Sequence, residues 1–167
     1  MNEVINTVRE ELKTLNSDDL VVVWGGANDI RKNNMKEALN SVSKFVNENK
    51  ELNVVLINSP HRYDMLPESC VNQEVMKFNR QIRKIMELQS KVKILELNLD
   101  RNCFTTHGLH LNTKGKKLVS QDLALLAQQL FNEKQTLSTI SIPRKEPPVT
   151  SSHSESQDVK INYETHK

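Results

Sequence analysis

The sequence predicts an α/β fold: a three-layer α/β/α sandwich around a parallel sheet. Two observations lead to this class. Apolar residues recur at helical spacing in four segments, and three short apolar runs lie between those segments. Strands that alternate with helices form parallel sheets, because each crossover helix covers a face and returns the chain to the same end of the sheet. The 167 residues are enough for one such domain with a core.

The predicted strands are three apolar runs of different character, at residues 20–24, 54–57 and 92–97. The first run reads Leu20-Val21-Val22-Val23-Trp24 without interruption, which is typical of a strand that is buried on both faces. The third run alternates in part, which indicates a position nearer the edge of the sheet.

Apolar stripes at helical spacing predict four helices, at residues 3–15, 34–49, 69–89 and 114–131. Because the crossovers are right-handed, the loops that follow the strands come together at one end of the sheet. Open α/β sheets place their functional sites at that end. The loops concerned are residues 25–33, 58–68 and 98–113.

The character of the sequence changes near residue 134. From there to Lys167 the chain is rich in Ser, Thr and Pro and has no apolar periodicity. Such a segment buries too little apolar surface to offset its chain entropy. We therefore predict a partial domain over residues 1–133 and a disordered polar tail over residues 134–167. The tail also accounts for the low aromatic fraction of 4%.

Composition excludes several classes of protein. The formal net charge is +2 with acids and bases interspersed, which argues against a nucleic-acid binder. No apolar run approaches the roughly 20 residues of a membrane span, and the N-terminus lacks the layout of a signal peptide. Cys70 and Cys103 lie far apart, so we predict two free thiols in a reducing, cytoplasmic compartment. Neither a metal site nor a cofactor is predicted.

Two short motifs fall at the predicted functional end of the sheet. Gly25-Gly26-Ala27-Asn28-Asp29-Ile30 directly follows the first strand, and His107-Gly108-Leu109-His110-Leu111-Asn112 precedes the last helix. Each motif has a structural interpretation by itself, because glycine pairs form tight turns, Asn and Asp cap helices, and a loop histidine is commonly structural or solvated. Their joint occurrence in this order is a more specific arrangement.

The two motifs resemble blocks of the SGNH hydrolase superfamily, also called GDSL esterases and lipases. Gly26-Ala27-Asn28-Asp29 matches the family's Gly-x-Asn-Asp block in full. His107-Gly108-Leu109-His110 matches the Asp-x-x-His block in the histidine but not in the aspartate. The resemblance covers about residues 3–131. It implies the flavodoxin-like SGNH fold, in which the serine-bearing strand is central and the sheet order is 2-1-3-4-5.

The resemblance implies hydrolysis of a small ester without a cofactor. In the family a serine attacks the ester carbonyl, and a histidine takes the serine's proton and later returns it to the leaving alcohol. His110 matches that general base. Asn28 matches a donor to the oxyanion, and Gly26 belongs to the same oxyanion and substrate-binding block.

The sequence departs from the family at two points. No Gly-Asp-Ser occurs in it, so we expect the serine block to lie upstream of Met1 and the domain to be N-terminally truncated. His107 stands where an aspartate should orient His110, and a histidine cannot supply a negative charge. A backbone carbonyl could orient His110 instead. We therefore predict that this chain by itself has no appreciable esterase activity.

Other interpretations stay open. Ser59, close to His61, is an alternative nucleophile, and Cys103 could pair with His110. His61, Arg62 and Tyr63 could line or cover the pocket. The whole chain could be a catalytically dead remnant or an interaction module, for example from a transposon-derived reading frame. A receiver or nucleotide-binding domain shares the architecture, but the sequence has no acidic cluster and no GxxxxGK loop.

Truncation would also leave the first strand exposed. Without its neighbour, the Val-rich strand at residues 20–24 becomes an open edge that can pair with another chain. No Lys, Pro or bulge signal interrupts Val21-Val22-Val23-Trp24. The predicted partners are therefore a small ester and, through this edge, a second copy of the chain.

Overall fold

The computed structural model describes residues 1–8 and 11–139, and within that range it leaves out the side chains of residues 2, 3, 8 and 133–139. The described part is an α/β sandwich with a three-stranded parallel sheet, which confirms the predicted fold class. The strand order is β1-β2-β3, with bounds Leu20–Trp24, Asn53–Ile57 and Val92–Leu95.

Five α-helices accompany the sheet in the described part of the chain: α1 Asn2–Val8, α2 Ala27–Arg31, α3 Met35–Glu48, α4 Cys70–Met86 and α5 Thr113–Thr139. Helices α3 and α4 lie within their predicted ranges. The predicted first helix is instead α1 followed by a 3₁₀ helix at Glu11–Thr14. The predicted loop after β1 contains the short helix α2.

Helix α5 extends further than its apolar stripe indicated. It continues through Thr139, so residues 134–139 are helical, although the sequence assigned them to the tail. Glu133, Lys134 and Gln135 all have favourable helix propensity, and no proline follows until Pro143, so the helix meets no break there. Residues 140–167 lie outside the described part, and their predicted disorder stays a prediction.

The two faces of the sheet are covered by different helices. Val54 and Leu56 of β2 pack into a large cluster with α3 and α4. The alternate residues Val55 and Ile57 pack into a smaller cluster with Val119 of α5. Because side chains alternate along a strand, these two clusters lie on opposite faces and give the sandwich its three layers.

The sequence predicts that β1 is buried on both faces, and the structure differs from this prediction. Val23 faces the larger cluster and is buried, but Val22 and Trp24 are 40% and 43% exposed. The prediction was wrong because a continuous apolar run does not show which neighbours a strand has. In the described part β1 pairs only with β2, and the cluster with α5 is centred on Val55, Ile57 and Leu95 and includes only Leu20 from β1.

None of the helices in the described ranges has the length and apolar character that crossing a membrane requires.

Candidate active site

The first motif forms a tight turn between β1 and α2. Gly26 is the N-cap of α2 and has φ +99°, a left-handed conformation that glycine adopts without strain. A Cβ atom on Gly26 would lie 2.7 Å from the ring of Phe78, so the turn also sits directly on α4. Both the backbone conformation and the close contact therefore require glycine at position 26.

The second motif is held in a narrow two-stranded loop. Phe104 and Leu111 form an antiparallel bridge, and the amide of Thr105 donates to the carbonyl oxygen of His110 at 2.8 Å. The side-chain amide of Asn112 donates to the carbonyl oxygens of Asn102 and Phe104. These bonds fix the backbone at His110.

The loop after β2 packs against the loop that contains His107 and His110, which we call the histidine loop. The amide of Tyr63 donates to the carbonyl oxygen of Gly108 at 3.1 Å. Gly108 has φ +77°, and a Cβ atom there would lie 2.5 Å from the carbonyl carbon of Tyr63. The Tyr63 ring packs against Phe104, and its hydroxyl donates to the carbonyl oxygen of Leu99. The two loops therefore form one unit.

A cavity of about 720 Å³ opens between these loops, the end of β1 and the start of α5. Its wall includes Trp24, Gly25, Ala27, Ser59, Pro60, Leu109, His110, Lys116, Val119 and Ser120. The structure thus brings the turn after β1 and His110 to one cavity, although they are far apart in sequence. A volume of this size is within the usual range for small-molecule sites.

Three of the four predicted site residues are not part of the cavity wall. Asn28 is exposed on α2, one position beyond Ala27, and Gly26 is buried behind the turn. His107 is exposed at the tip of its loop, whereas His110 lines the cavity. Cys103 is buried, and its thiol contacts the side-chain oxygen of Asn102 at 3.3 Å, not the cavity.

Asp64, on the loop that is hydrogen-bonded to the histidine loop, is a carboxylate that the sequence did not indicate as functional. Arg62 binds it through two hydrogen bonds, of 2.7 Å and 2.6 Å, and these lower the pKa of Asp64. The positive charge of His110 lowers the pKa of Asp64 further, to a smaller extent. Asp64 is 46 positions away from His110 in sequence, so only the folded loop relates the two.

Asn72 of α4 holds the backbone on which Asp64 depends. It is fully buried, its side-chain oxygen accepts from the amide of Arg62, and its side-chain nitrogen donates to the carbonyl oxygens of Arg62 and Leu66. Arg62 is itself 9% exposed. Arg62 and Tyr63, predicted to line or cover the pocket, instead brace the loops behind it.

Comparison with known proteins supports the fold alone. No family model and no curated protein matches the chain. A solved structure described as a "putative platelet activating factor" from Streptococcus pneumonia is similar with a TM-score of 0.55 and 20% identity. The match covers 75% of this chain and 69% of that one. Fold and cavity together define an α/β sandwich protein with a small-molecule cavity at the carboxyl ends of its strands.

Proposed function

We propose that the chain carries the histidine side of an ester-hydrolase site of the SGNH type. The observation that carries the proposal is the single cavity lined both by the glycine turn after β1 and by His110. The SGNH pattern requires these two blocks to meet at the carboxyl ends of the strands. The similar fold of the streptococcal structure is compatible with the proposal.

In this site His110 is the general base. Asn28 is the donor to the oxyanion, since its exposed side chain can change rotamer toward the cavity from the position next to Ala27. Gly26 contributes by allowing the tight turn that brings Gly25 and Ala27 into the wall. The substrate is a small ester, and the site needs no cofactor.

We further propose that Asp64, rather than His107, supplies the carboxylate for His110. Its loop is hydrogen-bonded to the histidine loop through Tyr63 and Gly108, and its charge interacts with His110. A carboxylate near the base stabilises the imidazolium that forms during acyl transfer. His107, exposed at the loop tip, has no part in this arrangement.

The chain by itself is proposed to be inactive, because the sequence has no Gly-Asp-Ser. The test measures hydrolysis of p-nitrophenyl acetate and butyrate by the purified chain and by an Asn28→Ala/His110→Ala double variant. Equal rates are expected. A wild-type rate well above the double variant would show a different nucleophile, and Ser59→Ala would then identify or exclude Ser59, which lines the cavity.

The site roles are tested in a longer form of the chain with a Gly-Asp-Ser segment ahead of Met1. We expect His110→Ala to abolish hydrolysis and Asn28→Ala to lower turnover by about 10²-fold or more. Asp64→Asn should lower turnover while His107→Ala leaves it unchanged. A loss with His107→Ala and none with Asp64→Asn would reverse the assignment of the carboxylate.

A second candidate function is an interaction module that uses the edge of β1. The observation that favours it is the exposure of Val22 and Trp24 on a strand whose outer side has no ladder partner among the described residues. Such an edge pairs with strands of other chains. We propose that it mediates self-association.

The free thiols of Cys70, exposed, and Cys103, buried, support our proposal of a reducing compartment.

A further inference from the structure

Strand β3 has an outer edge that pairs with no other strand in the described ranges, since β2 lies on only one side of it. The amide of Val54 donates to the carbonyl oxygen of Lys91, and the amide of Asn58 donates to that of Leu95. Residues that bond to a neighbouring strand alternate with residues whose backbone groups point the other way, so the amide and carbonyl of Ile94 face the outer edge. This edge can therefore pair with one further strand.

A groove of about 570 Å³ lies between this edge and the second half of α4, and we call it the α4 groove. One acidic side chain, Glu87, lines it together with four basic ones. The basic residues are Arg80, Arg83, Lys84 and Lys93. All four are exposed, and among the described residues only Arg83 of the four is in an ion pair, with Glu96. The α4 groove therefore has an excess of positive charge, although the whole chain is close to neutral at +2.

The apolar part of the α4 groove favours a peptide over a nucleic acid. It consists of Met86, which is buried, and of Val92 and Ile94, which are half-buried. Single-stranded nucleic acids bind by stacking their bases on aromatic side chains, and no aromatic residue of the described ranges lines this groove. An extended peptide, by contrast, can pair with the strand edge and place alternate side chains against apolar and charged parts of the groove.

The charge of the α4 groove also distinguishes a different protein from a second copy of this chain. Two copies paired through this edge would bring their basic side chains together, and like charges repel. We propose that the α4 groove binds an acidic segment of another protein as a strand added to β3. The backbone of that segment pairs with Ile94, and its carboxylates lie beside Arg80 and Lys84. The inference is independent of the proposed hydrolase function, because the α4 groove and the cavity at His110 share no wall residue.

The test titrates the full chain into a fluorescein-labelled octapeptide of alternating glutamate and threonine and follows the fluorescence anisotropy. We expect saturable binding, whereas an octapeptide of alternating lysine and threonine should not bind, because its charge has the wrong sign. An oligothymidylate with the same number of negative charges should bind at least about tenfold more weakly than the acidic peptide. Equal binding of the oligothymidylate, or a dissociation constant above about 1 mM for the acidic peptide, would overturn the proposal.

Two charge-reversed variants locate the binding. Arg80→Glu/Lys84→Glu should weaken binding of the acidic peptide at least about tenfold, because repulsion replaces attraction in the α4 groove. The matched control Lys114→Glu/Lys117→Glu makes the same change in net charge on α5 and should alter the affinity by less than about twofold. All four positions are exposed, so both variants should melt near the wild type. Equal weakening in the two variants would show that the peptide responds to net charge alone and would overturn the proposal.

Two further measurements test the strand pairing itself. The acidic peptide with N-methyl groups on two adjacent central residues keeps its charge but loses an N–H on whichever side faces β3, so it should bind about fivefold more weakly. In amide hydrogen exchange followed by NMR, the bound peptide should slow exchange at Ile94 and leave Leu95, whose amide faces β2, unchanged. Equal affinity of the N-methylated peptide, or unchanged exchange at Ile94 under saturation, would overturn the proposal. Slower exchange at Ile94 when the concentration of the chain alone is raised would instead show a second copy at this edge and would also overturn it.

Discussion

The two faces of the sheet differ in how completely helices cover them. On one face Val23, Val54 and Leu56 pack under α1, α3 and α4 in a cluster of buried residues that includes Phe78 at 0% exposure. On the other face α5 covers β2 and β3, and Val22 and Trp24 of β1 remain exposed. The cavity opens at this less covered face.

The difference separates stability from ligand binding. We call the face under α1, α3 and α4 the closed face and the face under α5 the open face. The closed face buries large apolar side chains and carries most of the free energy of folding. The open face carries a buried hydroxyl without a partner and an exposed aromatic surface, each of which costs stability unless something binds there. Substitutions on the closed face should therefore change stability most, and those on the open face should change binding or association.

The largest expected effect is on the closed face. Phe78→Ala should lower the free energy of unfolding by about 3–5 kcal/mol, because it removes a fully buried ring and leaves a cavity. Trp24→Ala, which removes a larger but 43% exposed side chain, should cost less than half as much. Urea denaturation measures both. If Phe78→Ala does not fold, Phe78→Leu is the smaller substitution to measure. Equal losses in unfolding free energy for the substitutions at Phe78 and Trp24 would contradict the comparison.

The second largest effect on stability is expected at Asn72 of α4, which holds the loop after β2. Asn72→Ala should lower the free energy of unfolding by about 1–3 kcal/mol, because it leaves the amide of Arg62 without its partner and removes one of the two hydrogen bonds to each of the carbonyls of Arg62 and Leu66. The exposed neighbour Gln73→Ala serves as the control and should cost under about 0.5 kcal/mol. A similar small cost for both variants would show that the loop is held by other contacts.

The ion pair behind the histidine loop gives a smaller, pH-dependent effect. Because Arg62 lowers the pKa of Asp64, the pair stabilises the fold above the unfolded-state pKa of about 3.9, and the contribution is lost as pH falls through the lower folded-state pKa. Asp64→Asn should cost about 1 kcal/mol at pH 7, where the pair is intact.

The measurement is the unfolding free energy of the wild type and Asp64→Asn between pH 7 and pH 2. The difference between them should disappear at the acid end. A difference that stayed constant over this range would mean that Asp64 acts through packing rather than charge. Glu74→Gln, which removes the exposed pair with Lys77, is the matched control and should show little pH dependence in its cost.

The smallest effect on stability is expected at the open edge. Val22→Lys should change the free energy of unfolding by less than about 0.5 kcal/mol, because the side chain is 40% exposed, yet it should suppress self-association by placing a charge on the edge strand. Light scattering across a concentration series would show the wild type rising above 19.2 kDa and the variant remaining monomeric. Leu88→Lys, at a 90% exposed site outside the sheet, is the control. A wild type that stayed monomeric would contradict the proposed association.

The α/β class, the three strands and the ranges of α3 and α4 followed from the sequence because they depend on local patterns. Apolar runs and helical spacing reflect which side chains an element must bury. The glycine turn and the histidine loop were also recognisable, since glycine at position 26 answers a local requirement of the backbone. The end of α5 was missed because its apolar stripe stops before the favourable helix propensity does.

Only the tertiary structure decided what meets at the site. It placed His110, Ser59 and the turn after β1 around one cavity, left Asn28 and His107 outside its wall, and joined the loop that carries Asp64 to the histidine loop. It also showed that on the face toward α5 only Leu20 of β1 is packed, whereas Val22 and Trp24 are exposed. The physical reason is that such contacts join residues that are far apart in the chain. The apolar pattern of a segment indicates which of its side chains are buried, but it does not indicate which other segment covers them.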